Sequence, residues 1–248
     1  VKVSIITATY NSAKTISDTL RSLEEQTYQN IEYIIVDGVS EDDTLKVIQS
    51  ECSRVSAVIT EKDEGLYDAL NKGIEASTGE IVGFLHSDDL FAYPGAVQDI
   101  VETFQKNDSQ AMYADLEYVA KHDTDKRIRL WTSGEYSRNK LKMGWMPPHP
   151  TFYMKRKLYE QYGTFDLSFD ISADYDSLLR YLWVNNVSMA YLPKVLIKMR
   201  VGGVSNRSMS SIIQKTKEDV RALKKSSLSW PKALLIKNLS KLPQFTKK

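Results

Sequence analysis

Cysteine is almost absent: Cys52 stands alone among 248 residues, so no intrachain disulfide can form and a zinc site built on several thiolates is excluded. A lone thiol packs as a small apolar residue more often than it reacts. Histidine is nearly as scarce, with only His86, His122 and His149, at a spacing that does not suit a His-rich zinc centre. No run of about twenty apolar residues occurs, so no helix is expected to span a bilayer, and no signal-peptide pattern is found. Cytoplasm is therefore the expected compartment. The chain begins at Val1 without a Met and runs straight into a strand, so sequence beyond either end is expected. The net charge of +1 offers no basic excess for nucleic acid, and no such partner is expected. After the first strand there is no G-x-G-x-x-G and no Walker-type loop, but Thr9-Tyr10-Asn11-Ser12. That disfavours a nicotinamide oxidoreductase and a phosphate-loop enzyme, and removes the Gly-rich loop a nucleotidyltransferase would carry.

What is present is the composition of an ordinary globular chain, with 42% hydrophobic residues to build a core. Charge is unevenly spread. From Met209 to Lys248 there are ten Lys/Arg and two Asp/Glu, a net of +8, which leaves −7 for residues 1–208. Apolar runs at residues 3–8, 33–36, 55–60 and 81–85 read as buried strands. Helical patterns at 13–25, 44–51 and 66–76 alternate with them, Asn11 and Ser12 being candidate caps for the first. Apolar strands alternating with helices predict a doubly wound, mostly parallel α/β sheet. The second half is less regular. It reads as a helix at 94–105, a strand at 111–119, a charged loop or hairpin tip at 122–129 and a proline-stiffened loop at 145–150. A strand at 151–154, a short helix at 158–162, a helix at 175–185, a strand at 189–200 and a basic helix at 209–225 follow. No repeat or low-complexity linker divides the chain.

The residues able to carry chemistry sit where strands end. Ser87-Asp88-Asp89 follows the fourth apolar run. Two adjacent carboxylates repel each other, and a hard cation such as Mg²⁺ or Mn²⁺ relieves that repulsion. A helix-capping turn is the plain alternative. Asp37, before Gly38, can accept hydrogen bonds from a base or ribose, or simply make an Asp-Gly turn. Asp63 can face a ligand or cap the helix that holds Tyr67, Asp68 and Lys72; Lys72 reads as a surface lysine first and a phosphate contact second. Asp174 and Asp176 enter a helix together, and one of them can act as a general base. Trp145 can stack on a sugar ring or fill core, and His149 can bind substrate or pack. Arg200, with Gly202, Gly203 and Ser205, can close over a diphosphate.

Taken together, Thr9-Tyr10-Asn11, Asp37-Gly38, Asp63-x-Gly65-x-Tyr67-Asp68-Ala69, Ser87-Asp88-Asp89 and Ala173-Asp174-Tyr175-Asp176 form an ordered set. It resembles the inverting family-two glycosyltransferases of the GT-A fold over roughly residues 1–205, most strongly in the first ninety. The resemblance implies a GT-A domain at 1–208. Residues 1–90 would be its nucleotide-binding half, 91–208 a smaller mixed acceptor-side half, and 209–248 a basic helical extension. It implies a nucleotide-sugar donor, with UDP the expected nucleotide, held by Thr9, Tyr10, Asp37, Asp63 and Asp88. Mn²⁺ or Mg²⁺ would sit on Asp89, and Asp174 would be the catalytic base. Trp145, His149, Asp176 and Arg200 would lie toward acceptor or diphosphate. The family usually has Glu-Asp where this chain has Ala173-Asp174, and Asp where it has Ser87. The implied reaction is transfer of a hexosyl or N-acetylhexosaminyl group to a hydroxyl of a glycan or lipid-linked acceptor, in a single inverting displacement. A non-catalytic sugar-nucleotide-binding protein is the alternative.

The tail has its own pattern. Ala233, Leu234, Leu235, Ile236, Leu239, Leu242 and Phe245 alternate with Lys232, Lys237 and Lys241 between Pro231 and Pro243. This predicts a basic amphipathic helix, suited equally to the anionic inner face of a membrane and to packing on the body or on a partner.

Overall fold

The computed structural model describes residues 1–202 and 209–239. Its first half alternates β1 (Val3–Thr9), α1 (Ile16–Glu24), β2 (Ile31–Asp37), α2 (Thr44–Glu51), β3 (Val55–Thr60), α3 (Leu66–Ala76) and β4 (Ile81–Phe84). β1 pairs in parallel with β2 and β4, and β2 with β3. Side chains alternate across a strand, and both faces here are covered. Val3, Ile5, Tyr33 and Ile35 pack on one face with α1 and with Ile48 of α2; Ile6, Ile34 and Val36 pack on the other with Leu70 and Ile74 of α3. Continuous apolar runs are the consequence.

Three local expectations need correction. The helix expected from residue 13 begins at Ile16, because Asn11 adopts a left-handed backbone (φ 50°) and spends its side chain on the next loop. Its Oδ1 accepts from the Glu41 N–H at 2.9 Å, so it caps nothing in α1; Ser12 contributes only its carbonyl, which accepts from the N–H groups of Thr15 and Ile16. β3 is a partly exposed edge strand rather than a buried one, with Val58 open to solvent. The charged stretch at 122–129 is mostly strand.

The second half adds β5 (Leu90–Phe91), α4 (Ala96–Asn107), β6 (Ala111–Ala120), β7 (Asp123–Trp131), α5 (Arg138–Leu141), β8 (Tyr153–Lys155), α6 (Arg156–Tyr162), α7 (Ala173–Leu178) and β9 (Met189–Arg200). Among the described residues one sheet runs β3-β2-β1-β4-β8-β6-β9-β5, with β7 on β6. Its continuation past β4 is mixed: β8 is antiparallel to β4 and β6, while β6 and β9 are parallel. The helix expected at 175–185 starts at Ala173 and widens into a π-helical stretch over Leu179–Val184.

Two further helices follow, α8 (Met209–Lys225) and α9 (Trp230–Leu239). Neither stands apart from the body. Ala222, Leu223, Leu228 and Ala233 are buried in the same cluster as Tyr175 and Leu178 of α7. Lys237 is buried too, its ammonium 2.8 Å from Asp219 and 3.6 Å from the centre of the Tyr175 ring. Gly144 lets α9 approach: a Cβ there would collide with the Ala233 carbonyl and lie 3.0 Å from Lys237 Cβ. Of the two roles expected for this helix, α9 packs on the body, and it is not cleanly two-faced, since one of its lysines faces inward and Leu235 faces out. Leu242, Phe245 and Lys241 of the expected helix lie outside the described residues, as do Gly203 and Ser205 of the expected diphosphate loop. No described helix is long and apolar enough to cross a membrane.

Candidate active site

Strand order reverses beside β1, which lies between β2 and β4. In open α/β sheets that switch point, at the carboxyl ends of the strands, is where a crevice opens. Four loops meet there, those after β1, β2, β3 and β4. The Gly38 N–H donates to the Thr9 carbonyl at 2.9 Å, joining the ends of β1 and β2. Ser12 Oγ and Ser87 Oγ share a hydrogen bond of 3.0 Å, joining the loops after β1 and β4. A Cβ on Gly38 would strike the Asp63 carboxylate and sit 3.6 Å from the Tyr10 ring, so Asp63, Tyr10 and the Gly38 backbone form one contact. Tyr10 is 59% exposed, a large aromatic surface facing solvent at the crevice.

Asp37 is fully buried. Its carboxylate accepts from the Ser40 N–H at 3.0 Å and from Ser40 Oγ at 2.5 Å, folding the loop that follows. Val39 in that loop has φ 64°, a left-handed backbone that costs a β-branched residue about 1–3 kcal/mol. Ser40 is the partner that sequence reading missed; its place three residues after Asp37 is the signal of an Asx turn. Asp63 Oδ1 accepts from the Gly65 N–H at 2.9 Å. Lys72 is held by Glu61 at 3.0 Å and Asp68 at 3.3 Å, as a surface lysine is.

Asp89 is 1% exposed, and neither of its carboxylate oxygens has a hydrogen-bond partner. Its backbone is fixed: its N–H donates to the His86 carbonyl at 2.9 Å and its carbonyl accepts from Thr19 Oγ1 at 2.7 Å. Burial, and after it the neighbouring Asp88 carboxylate, push the Asp89 carboxyl well above the ordinary range, against the pull of Arg200. Arg200, itself buried, donates to the Asp88 carbonyl at 2.8 Å and to the Lys121 carbonyl at 3.2 Å, and pairs with Asp18. It thus ties the Ser87-Asp88-Asp89 turn to β9 and α1. Asp18 was not legible as part of the site. Thr9, also buried, leaves its hydroxyl oxygen unpaired.

His149 lies under this turn. It stacks on Phe84 (centroids 5.3 Å apart) and stands 6.3 Å from His86 and 5.5 Å from Phe165. Burial lowers its pKa to about 4; the Asp174 charge opposes this and His86 adds to it. Burial likewise lowers His86, with Asp88 and Asp174 opposing. Asp174 is therefore electrostatically joined to both histidines. It is half-buried at the first turn of α7, with its Oδ1 accepting from the Tyr175 N–H at 2.7 Å. Asp176 is set apart from it: 2% exposed, 3.1 Å from Lys225 and 3.7 Å from Arg180, it points into the helical layer. Trp145 is half-buried, its ring against Tyr113 and Tyr136.

No three acidic, histidine or cysteine side chains converge as a metal cage among the described residues. A cage is not required, because Mg²⁺ and Mn²⁺ commonly bind through one or two carboxylates, with water and substrate phosphates completing the shell. A buried carboxylate with two idle oxygens beside a second carboxylate fits that role.

Residues 4–169 match the profile of Glycosyl transferase family 2. An uncharacterized glycosyltransferase of Mycobacterium tuberculosis is 30% identical over 182 residues, covering 72% of this chain and 68% of the relative. A PGL/p-HBAD biosynthesis glycosyltransferase of Mycobacterium bovis is 25% identical over 241 residues, 93% of this chain and 91% of the relative. Among solved structures, Staphylococcus aureus TarS 1–349 in complex with UDP-GlcNAc superposes with a TM-score of 0.71 at 18% identity, over 96% of this chain and 70% of that one. The mannosyltransferase PcManGT of Pyrobaculum calidifontis, in complex with GDP-Man and Mn²⁺, gives a TM-score of 0.65 at 18% identity, over 100% of this chain and 76% of that one. With the family profile spanning more than half of its length, and with this sheet order, the chain belongs to glycosyl transferase family 2 and is a glycosyltransferase of the GT-A fold.

Proposed function

We propose that this glycosyltransferase moves a sugar from a nucleoside-diphosphate donor, UDP-linked in the first instance, to an acceptor hydroxyl by one inverting displacement. The observation that carries the reading is Asp89: buried, with both oxygens unpartnered, at the switch point of the sheet. Asp89, with Asp88 beside it, would hold Mn²⁺ or Mg²⁺, which supplies positive charge for the departing diphosphate. Tyr10, Gly38 and Asp63 form the shelf for the nucleoside, and the Asp37–Ser40 turn fixes that shelf from beneath.

Asp174 is the proposed base. It takes the proton of the acceptor hydroxyl; the acceptor oxygen forms its bond to the anomeric carbon while the bond to the phosphate oxygen breaks, and that electron pair leaves with the nucleoside diphosphate. Asp176 does not compete for the role, because its carboxylate is buried and neutralised by Lys225 and Arg180. His149 and His86, kept neutral by burial, do not neutralise Asp174. Asp174→Asn is expected to lower turnover by about 10²-fold or more while donor affinity stays within about threefold. Near-normal turnover in that variant would remove Asp174 from the mechanism.

A further inference from the structure

The loop that delivers Asp174 is held by α8. Glu218 is buried, and its carboxylate accepts three successive backbone N–H groups: Asp170 at 3.3 Å, Ile171 at 2.9 Å and Ser172 at 2.9 Å. Three adjacent amides aimed at one point form a nest for an anion, and charged acceptors make the stronger hydrogen bonds. Ser172 immediately precedes α7, and Asp174 is the second residue of that helix. Glu218 therefore fixes the direction from which the helix sets out.

The grip extends along the helix. Gln214 donates to Asp170 Oδ2 at 2.6 Å and to Glu218 Oε1 at 3.2 Å, so it orients both carboxylates. Arg221 donates to the Ser168 carbonyl at 2.6 Å and lies over the Phe169 ring at 3.7 Å. Lys225 reaches Asp166 at 2.9 Å. At the near end of α7, Tyr67 donates to the Ile171 carbonyl at 2.8 Å, so the same peptide is held from α3 as well. One helical face, at spacings of three and four residues, contacts the loop over residues 166–172.

We propose that Glu218 is a positioning residue for the reaction: through the amides of residues 170–172 it sets the placement of Asp174, and thereby makes α8 part of the catalytic unit. The proposal rests on the reading of Asp174 as the base. A misplacement of about 1 Å in a reacting group can cost about 10²-fold in rate, so loss of this anchor should appear in turnover before it appears in binding.

The test compares the parent chain with Glu218→Gln, Gln214→Ala and Asp174→Asn. Donor hydrolysis, affinity and binding stoichiometry are measured with UDP-GlcNAc and GDP-mannose in Mn²⁺, and amide hydrogen exchange is followed over residues 166–176. Glu218→Gln is expected to keep donor affinity and stoichiometry, to lose about tenfold or more in turnover per bound donor, and to exchange faster at 170–176. Gln214→Ala, which removes no charge, is expected to change both in the same direction by a smaller factor, and it stands in if Glu218→Gln does not fold. If water is too poor an acceptor for turnover to be read, the exchange measurement decides. Unchanged exchange at 170–176 overturns the proposal; so does unchanged turnover per bound donor, or a loss that merely tracks lost binding sites. If Asp174→Asn instead retains turnover, the base assignment is what has failed, whatever Glu218→Gln does.

Discussion

At the scale of single residues, burial decides which groups hold a proton. His149 is 8% exposed and its pKa is lowered to about 4 by burial, from an ordinary 6.5. The unfolded chain therefore binds a proton there between pH 6.5 and pH 4 that the folded chain refuses. The stability this provides is complete above pH 6.5 and is lost as pH falls toward 4, a displacement worth about 3 kcal/mol. His149→Phe keeps a ring against Phe84 and removes the titration, so its melting temperature should fall less steeply between pH 6.5 and 4 than that of the parent. His86, lowered for the same reason, leaves some residual slope. Equal slopes for parent and variant would show that His149 is accessible to protons in the folded chain. Asp37, Asp63, Asp88, Asp89 and Asp174 were all legible as residues, because carboxylates at strand ends are conspicuous. The distant groups that brace the loops around them were not. Asp18 lies 182 positions from Arg200, and Glu218 lies 46 positions from Ser172, so no local pattern joins them.

At the scale of elements, the parallel half was readable because each strand is covered on both faces and its sequence is apolar without interruption. Two departures have local causes. Asn11 turned left-handed and bonded to the neighbouring loop, which shortened α1 at its start. β7 is largely polar, one residue in two or more facing solvent, so its strand character was hidden under its charge. The join between the two halves of the sheet is the pairing of β4 with β8, and it depends on a glycine. A Cβ on Gly83 would collide with Cε1 of the Tyr153 ring, which is fully buried against β4. Gly83→Ala should destabilise the chain by about 1–3 kcal/mol through overpacking, measured as a lower denaturant midpoint with an unchanged slope. An unchanged midpoint would mean that the ring has room to move.

At the scale of the whole molecule, the C-terminal helices belong to the body that carries the crevice. The buried pair of Lys237 with Asp219 joins α9 to α8, and Gly144 allows α9 to close on the loop after α5. Net charge changes sign near residue 208, yet Ala222, Leu223 and Ala233 pack in the same cluster as Tyr175 and Leu178. Gly144→Ala adds a methyl group against the Ala233 carbonyl at a backbone φ of 75°, where alanine is also strained. α9 should then release, breaking the Lys237–Asp219 pair. Limited proteolysis should cut Gly144→Ala after Lys232 or Lys237 at protease levels that spare the parent, and equal resistance would contradict this docking.

Buried, unpartnered Asp89 should make donor binding depend on a divalent cation. The most direct measurement is the melting temperature of the parent and of Asp89→Asn with UDP-GlcNAc or GDP-mannose, each with and without Mn²⁺. A nucleotide at a hundredfold excess over its dissociation constant stabilises by about 2.7 kcal/mol, which at this chain length corresponds to about 5–10 °C. That shift is expected for the parent only when nucleotide and Mn²⁺ are both present, and it should be lost in Asp89→Asn. A nucleotide shift of the same size without Mn²⁺, or one that survives in Asp89→Asn, would contradict it.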